Sequence, residues 1–344
     1  MKGARHKEGC KEIVAETALV TGATGFLGSA VARALIAAGH HVRVLARPAS
    51  DRRNIEGLDV EIVTGNLDQP ESLAPALKGC TALFHVAADY RLWIPDPAAM
   101  YRTNVEGSAA LIRAAAAAGV SRAVYTSSVA VLGIDKTGKP ADESTPVTVV
   151  DMVGHYKRSK FLAEEAVNAA ARDTGMSVVT VNPSTPIGPR DIKPTPTGRT
   201  IVMAASGRMP AYVDTGLNLV HVDDCAAGHV LAFANGREGQ RYILGGEDFS
   251  LARMQAEIAG MTGRRPARIN LPVGPLYPLA VGAEWVARLT GGEPMLTRDT
   301  LRMARKRMYF SSAKAERELG YTTRPAIEGL ADAVAWFREA GYLT

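Results

Sequence analysis

From Thr17 the chain alternates short apolar runs with longer amphipathic ones. Residues 18–20, 42–45, 60–63, 82–86, 123–126 and 178–181 are brief and rich in Val or Leu, which predicts strands covered on both faces. Between them 27–38, 70–77, 98–118 and 156–174 are long enough for helices. Gly39, Gly119 and Gly175 then stand where a left-handed helix cap falls. Such alternation predicts an α/β fold with a doubly wound parallel sheet and right-handed crossovers.

The pattern changes after Pro183. Pro186, Pro189, Pro194 and Pro196 crowd a stretch that predicts loop. A strand-like 218–222, a helix from Asp223 and a strand at Arg241–Leu244 return to the first style, and from Ser250 helices separated by loops run to a last one at 327–340. The expected division is a sheet domain over 17–183, rejoined by 218–245, and a smaller, mostly helical lobe from 184–217 and 246–344. Residues 1–16 are polar and charged, with no apolar centre for a signal peptide, and are expected to form a loose extension.

Composition narrows the function classes. Apolar residues make up 47% of the chain and aromatics only 6%, so the interior should be Ala, Val and Leu. The formal charge of +5 reads as scattered, which suits a basic lining for an anionic ligand better than a nucleic-acid surface; no nucleic-acid partner is expected. Cys10, Cys80 and Cys225 share no metal-ligand spacing, so no metal site is expected. Unpaired cysteines and no membrane-length apolar run lead to the expectation of a cytoplasmic protein.

Gly22, Thr24, Gly25, Phe26, Leu27 and Gly28 lie between the first strand and the first helix. Glycines there allow a tight turn and close approach of a pyrophosphate, while the helix N-terminus supplies N–H donors and a positive dipole end. An acid at the end of the second strand would bind the ribose hydroxyls of NAD; here Arg47 stands there, followed by Arg52 and Arg53, and a guanidinium suits the 2′-phosphate of NADP. NADP is the preferred cofactor, NAD the alternative.

Tyr156 and Lys160 fall one helical turn apart on one face. A phenol with its ordinary pKa near 10 is a poor proton carrier at neutral pH, and nearby positive charge favours the phenolate. The strand ending Thr126-Ser127-Ser128 precedes the pair, and strand C-termini face the ligand crevice of such sheets, so one hydroxyl can hold a substrate oxygen.

The glycine loop, His85-Val86-Ala87-Ala88, Thr126-Ser127-Ser128, Tyr156–Lys160, Asn182-Pro183 and Val220–Asp224 together resemble the extended short-chain dehydrogenase/reductases. That family comprises sugar-nucleotide epimerases, dehydratases and dihydroflavonol-4-reductase-like reductases on a Rossmann-type sheet. Within it, residues 85–93, 182–198 and 303–312 are similar to hopanoid-associated sugar epimerases. The resemblance implies that Ser128 orients the substrate oxygen, Tyr156 transfers the proton and Lys160 lowers its pKa and holds the nicotinamide ribose. It further implies cofactor contacts at Asn66, Leu67, Ala87, Ala88, Pro183 and Ser184, and often a homodimer. Two departures stand out: Asn66 replaces a frequent aspartate at the adenine contact, and Ala130 replaces a threonine common in sugar epimerases. The activity implied is hydride transfer on a carbinol or ketone carbon of a sugar-like, hopanoid-linked substrate. A ketone reductase and a non-catalytic NADP-sensing protein are the alternatives.

Substrate contacts are expected from Asp89, Tyr90 and Trp93 after the fourth strand and from Arg190 and Lys193 in the proline-rich loop, together with Ser128. One more stretch is unusual. Residues 271–280 are apolar and proline-rich, continue to Trp285, and are followed by Arg302, Arg305, Lys306 and Arg307. Apolar stretches are ordinarily core, so a packed lobe is the first expectation and a peripheral membrane contact the second.

Overall fold

The computed structural model describes residues 15–91, 93–94, 96–135, 137–294 and 296–343. Most of the expected loose extension, with Cys10, therefore lies outside the described residues.

Strands β1 (Thr17–Thr21), β2 (His41–Ala46), β3 (Val60–Thr64), β4 (Ala82–His85), β5 (Arg122–Thr126) and β6 (Ser177–Pro183) form the first half. They are followed by β7 (Thr185–Ile187), β8 (Ala211–Tyr212), β9 (Gly216–His221), β10 (Arg241–Leu244), β11 (Glu247–Ser250), β12 (Ile269–Asn270) and β13 (Arg307–Met308). Helices run α1 (Phe26–Ala37), α2 (Leu73–Leu77), α3 (Pro97–Tyr101), α4 (Ser108–Ala117), α5 (Gly154–Thr174) and α6 (Pro196–Ala205). The remainder are α7 (Val222–Asn235), α8 (Leu251–Thr262), α9 (Leu276–Thr290), α10 (Arg298–Ala304), α11 (Ala313–Leu319) and α12 (Ala326–Glu339).

Seven strands in the order β10-β6-β5-β4-β1-β2-β3, all parallel, make the expected Rossmann-type sheet. Alternate residues of each strand face opposite sides. Ala18 and Val20 join Val42, Val44, Phe84 and Val124 under α1 and α7, whereas Leu19, Leu83 and Tyr125 face α2, α4 and α5. Strand order reverses between β1 and β4, which opens a crevice at their C-terminal ends.

Three details differ from the periodicity reading. Residues 98–118 are two helices, α3 and α4, joined by a π-helical turn at Arg102–Gly107, because Asn104 is pulled out of register by side-chain partners. The stretch after Pro183 contains β7; its prolines are tolerated because β7 pairs only with β9 and sits at a sheet edge. Of the segment expected to rejoin the main domain, α7 packs on α1 and β10 completes the large sheet. β9 instead centres a second sheet with β7, β11 and β13. Its pattern carries no signal for which sheet it joins, since buried strands of both sheets look alike.

Candidate active site

At the end of β1 the backbone turns so tightly that side chains are excluded. Gly22 has φ +75°, and a Cβ there would lie 2.7 Å from the Ala87 nitrogen; one on Gly28 would lie 2.1 Å from the Gly22 carbonyl oxygen. The loop, the first turn of α1 and the segment after β4 are therefore in direct backbone contact. The Ala87 N–H also donates to Thr21 Oγ1 at 3.2 Å. Gly25 caps α1 without a side-chain hydrogen bond, and the first turn has no acid. Uncapped N–H groups at a helix N-terminus, beside a cradle that a Cβ would fill, fit a dinucleotide pyrophosphate. Thr24, Phe26 and Leu27 line this turn, and Ala88 continues from Ala87 along it.

Behind β3, Asn66 accepts from the Asp68 N–H at 3.3 Å and closes a short turn, while Leu67 is buried beneath Gly107. A Cβ on Gly107 would lie 2.9 Å from Leu67 Cβ and the same distance from its carbonyl oxygen, so the π-helical turn and this loop are fitted together.

The chemistry-bearing side chains converge across the crevice. Lys160, buried on α5, donates from Nζ to the Thr126 carbonyl at 2.7 Å and lies 5.0 Å from the centre of the Tyr125 ring. Burial depresses its ammonium to about 8, against a raising contribution from Glu164. Half-buried Tyr156 sits one turn earlier. Burial raises its phenol and a hydrogen bond with Ser128 pulls it down; the net direction is up. Protein groups alone thus hold Tyr156 above its ordinary range, with the Lys160 ammonium turned to the Thr126 carbonyl. Ser128 Oγ accepts the Ala130 N–H at 3.1 Å, and the Ser128 carbonyl accepts from Asn182 Nδ2 at 3.1 Å. Asn182 therefore ties the end of β5 to β6. Pro183 is buried beside it, and the Ser184 hydroxyl is buried without a partner among the described residues, free to meet a ligand.

One functional residue escaped the sequence reading. Asn104, buried in the π-helical turn, accepts from the Asp89 N–H at 2.7 Å and donates to the Asp89 carbonyl at 2.9 Å and to Ser159 Oγ at 3.0 Å. Ser159 in turn donates to the Tyr156 carbonyl at 2.8 Å. Asn104 pins the loop after β4 to the turn of α5 that carries Tyr156. The available signal was an asparagine inside an apolar helical pattern, where it is a poor helix former.

The predicted substrate residues separate into two groups. Tyr90, half-exposed, is close enough for its phenol to act on that of Tyr156. Asp89 is held by an ion pair with Arg91, and Trp93 lies under the Arg288 guanidinium at 5.8 Å. Arg190 and Lys193 go elsewhere. Arg190, at φ 74°, pairs with Asp223 and faces Arg33 on α1; Lys193 is exposed and helps hold the Asp51 carboxyl low. Arg190 thus lies against α7 and α1, and Lys193 is within electrostatic reach of Asp51 in the segment after β2. At that same end Arg47 is exposed, and its guanidinium makes no hydrogen bond or ion pair among the described residues. Asp51, the nearby acid, is occupied by Arg53, which with Lys193 holds it at about 2.

The sequence profile of the NAD-dependent epimerase/dehydratase family matches residues 18–245. The chain belongs to that family. A putative dihydroflavonol 4-reductase of Synechocystis is 42% identical over 96% of this chain and 97% of its own. Sterol demethylase protein B of Methylococcus capsulatus is 34% identical over 95% of this chain and 100% of its own. Among solved structures, that of gox2253 superposes with a TM-score of 0.87 at 53% identity, covering 96% of this chain and 100% of the other. As an epimerase/dehydratase-family member with reductase relatives, the protein is an NAD(P)-dependent oxidoreductase on a Rossmann-type fold. No group of side chains suited to a metal occurs among the described residues, and none of the described helices is long and apolar enough to cross a membrane. Cys80 and Cys225 are buried and unpaired.

Proposed function

We propose that the protein is an NADPH-dependent reductase of a ketone borne on a weakly polar substrate. The observation that carries this reading is where the cations are. A nucleotide-sugar epimerase must hold a diphosphate on the substrate side. Of the two cations expected for an anionic or polyhydroxylated ligand, Arg190 is paired with Asp223, and exposed Lys193 is within electrostatic reach of Asp51. Ala130 offers no hydroxyl to a sugar, and the surface next to Tyr156 is mixed, with Val153 and Met303 beside His155, Lys157, Thr297, Asp299 and Thr300. The relative at 42% identity carries a reductase name, which supports the same direction. The sugar epimerase of the hopanoid-associated kind remains the second reading, on the family's own breadth.

A bound reduced nicotinamide would supply the hydride. Tyr156 donates its proton to the carbonyl oxygen, with Ser128 donating a hydrogen bond to the same oxygen. A phenol raised by burial is well suited to begin this step protonated. Lys160, buried at the base of the crevice, would hold the ribose hydroxyls and anchors the end of β5 through the Thr126 carbonyl. Arg47 grips the 2′-phosphate, with Lys193 adding charge from the proline-rich loop.

The direct test follows reduced-nicotinamide absorbance with a dihydroflavonol and a set of cyclic alkyl ketones. One NADPH consumed per alcohol formed is expected. Interconversion of a UDP-sugar with no net absorbance change would replace this reading with the epimerase. Arg47→Ala should weaken NADPH binding about tenfold, as expected for a charge-assisted contact, and leave NADH nearly unaffected; equal losses for both would remove the NADP preference.

A further inference from the structure

Helix α9 inverts the usual order of a packed helix. The side that faces the protein is Ala280, Glu284 and Ala287, a stripe of small residues plus one acid that takes two hydrogen bonds from Arg298, at 2.7 and 2.9 Å. Its large apolar residues point out. Leu279, Trp285 and Leu289 are 65%, 66% and 69% exposed, and Val281 and Val286 about half, at 49% and 56%. With Pro278 and Gly282 between them they make a face free of charge along the helix. A contiguous exposed face of this kind marks an interaction surface.

Charge identifies what it meets. Between Arg264 and Arg307 there are nine Lys or Arg and three Asp or Glu, a net +6 in a chain whose whole formal charge is +5. The positive excess is therefore concentrated along the chain in the segment that contains α9 and α10, where Arg288 and Arg305 stand beside the apolar face. Arg288 at the C-terminal end and Arg305, 5.2 Å from the Tyr277 ring at the N-terminal end, make no ion pair among the described residues. A two-fold pairing of this face with a second copy would set like charges against each other around the apolar centre. An anionic bilayer offers the complement to both features: acyl chains for Trp285 and the leucines, acidic headgroups for the arginines. At 15 residues α9 is an interfacial helix rather than a spanning one.

We propose that α9 seats this protein on the surface of an anionic phospholipid membrane. The face also borders the substrate side of the active site. α10, which packs on α9, contributes Thr297, Thr300 and Met303 to the surface beside Tyr156, and Arg288 covers Trp93. Docking by α9 would turn that side toward the bilayer. The proposal rests on α9 and its charges and does not depend on whether the enzyme is a reductase or an epimerase.

The test is co-sedimentation of the full chain with phosphatidylcholine vesicles that contain or lack phosphatidylglycerol. Binding is expected with the anionic vesicles only, and should weaken with salt. The triple variant Leu279→Ser, Trp285→Ser, Leu289→Ser should lose roughly tenfold or more in vesicle affinity with dinucleotide binding retained. Arg288→Gln with Arg305→Gln should lose about fivefold per charge and shows the effect even if the triple variant fails to fold. No greater binding to anionic than to neutral vesicles overturns the proposal. So does a wild-type dimer in sedimentation velocity that the triple variant converts to monomer, which would assign the face to a second copy.

Discussion

Helices α1 and α9 are both rich in apolar residues, and each carries a glycine in its interior, yet the fold uses them in opposite ways. In α1 the residues turned inward include Val31 and Leu35, and Gly28 is pressed against the Gly22 carbonyl. In α9 the bulk points outward, and a Cβ on Gly282 would meet nothing within 4 Å. The difference is one of partners. α1 is closed between the large sheet and α7, whereas α9 has protein on one side only. Hydrophobic pattern sets how strongly a helix is amphipathic; what covers each face is decided by the rest of the chain.

Substitutions can sharpen this contrast, beginning with the largest effect. Gly28→Ala puts a Cβ 2.1 Å from a backbone oxygen that cannot retreat, so dinucleotide binding should be lost and stability should fall by about 3 kcal/mol or more, measured by titration and urea unfolding. Unchanged binding would mean that the loop is looser than the geometry implies. Asn104→Ala removes three hydrogen bonds at the hinge between the Asp89 loop and α5. It should cost about 1–3 kcal/mol and lower kcat more than dinucleotide affinity; a loss confined to stability would make Asn104 structural alone.

The fold was legible where burial is two-sided. The first six strands and α1, α5 and α7 lie within a few residues of the pattern, because a parallel strand under helices is largely apolar and a connecting helix must be long; β3, expected to be covered on both faces, is the sheet edge and exposes Glu61 and Ile62. The glycine loop was legible because its backbone contacts exclude side chains, and the convergence of Ser128, Tyr156 and Lys160 because β5 ends and α5 begins at the crevice. What failed depended on long-range partners. Asn104 reshapes a helix through contacts with residues 15 and 55 positions away. Arg190 pairs with Asp223, 33 positions away, through a left-handed backbone turn that a loop composition does not encode.

A pH series reads the buried side of the comparison. His85 shares hydrogen bonds with Thr21 and Ser108, each at 2.8 Å, and burial depresses its imidazole to about 3. The unfolded chain binds this proton below about 6.5 and the folded one only near 3, so its contribution to stability is present above 6.5 and is lost as pH falls through that window. The melting temperature of the wild type should drop accordingly, and His85→Gln should flatten the slope; an unaltered slope would exclude His85 as its source. The smallest effect belongs to α9. Gly282→Ala should stabilise by about 0.5–1 kcal/mol through helix propensity alone, where the same change at position 28 is ruinous.

The account rests on Tyr156 as the proton carrier, and Tyr156→Phe tests it most directly, with the rate of NADPH oxidation and the dinucleotide affinity measured on the same preparation. Turnover should fall roughly 10²- to 10⁴-fold, the share typical of a positioned general acid, with dinucleotide affinity nearly unchanged. A variant that oxidises NADPH as fast as the wild type would contradict the assignment of Tyr156, and with it the mechanism.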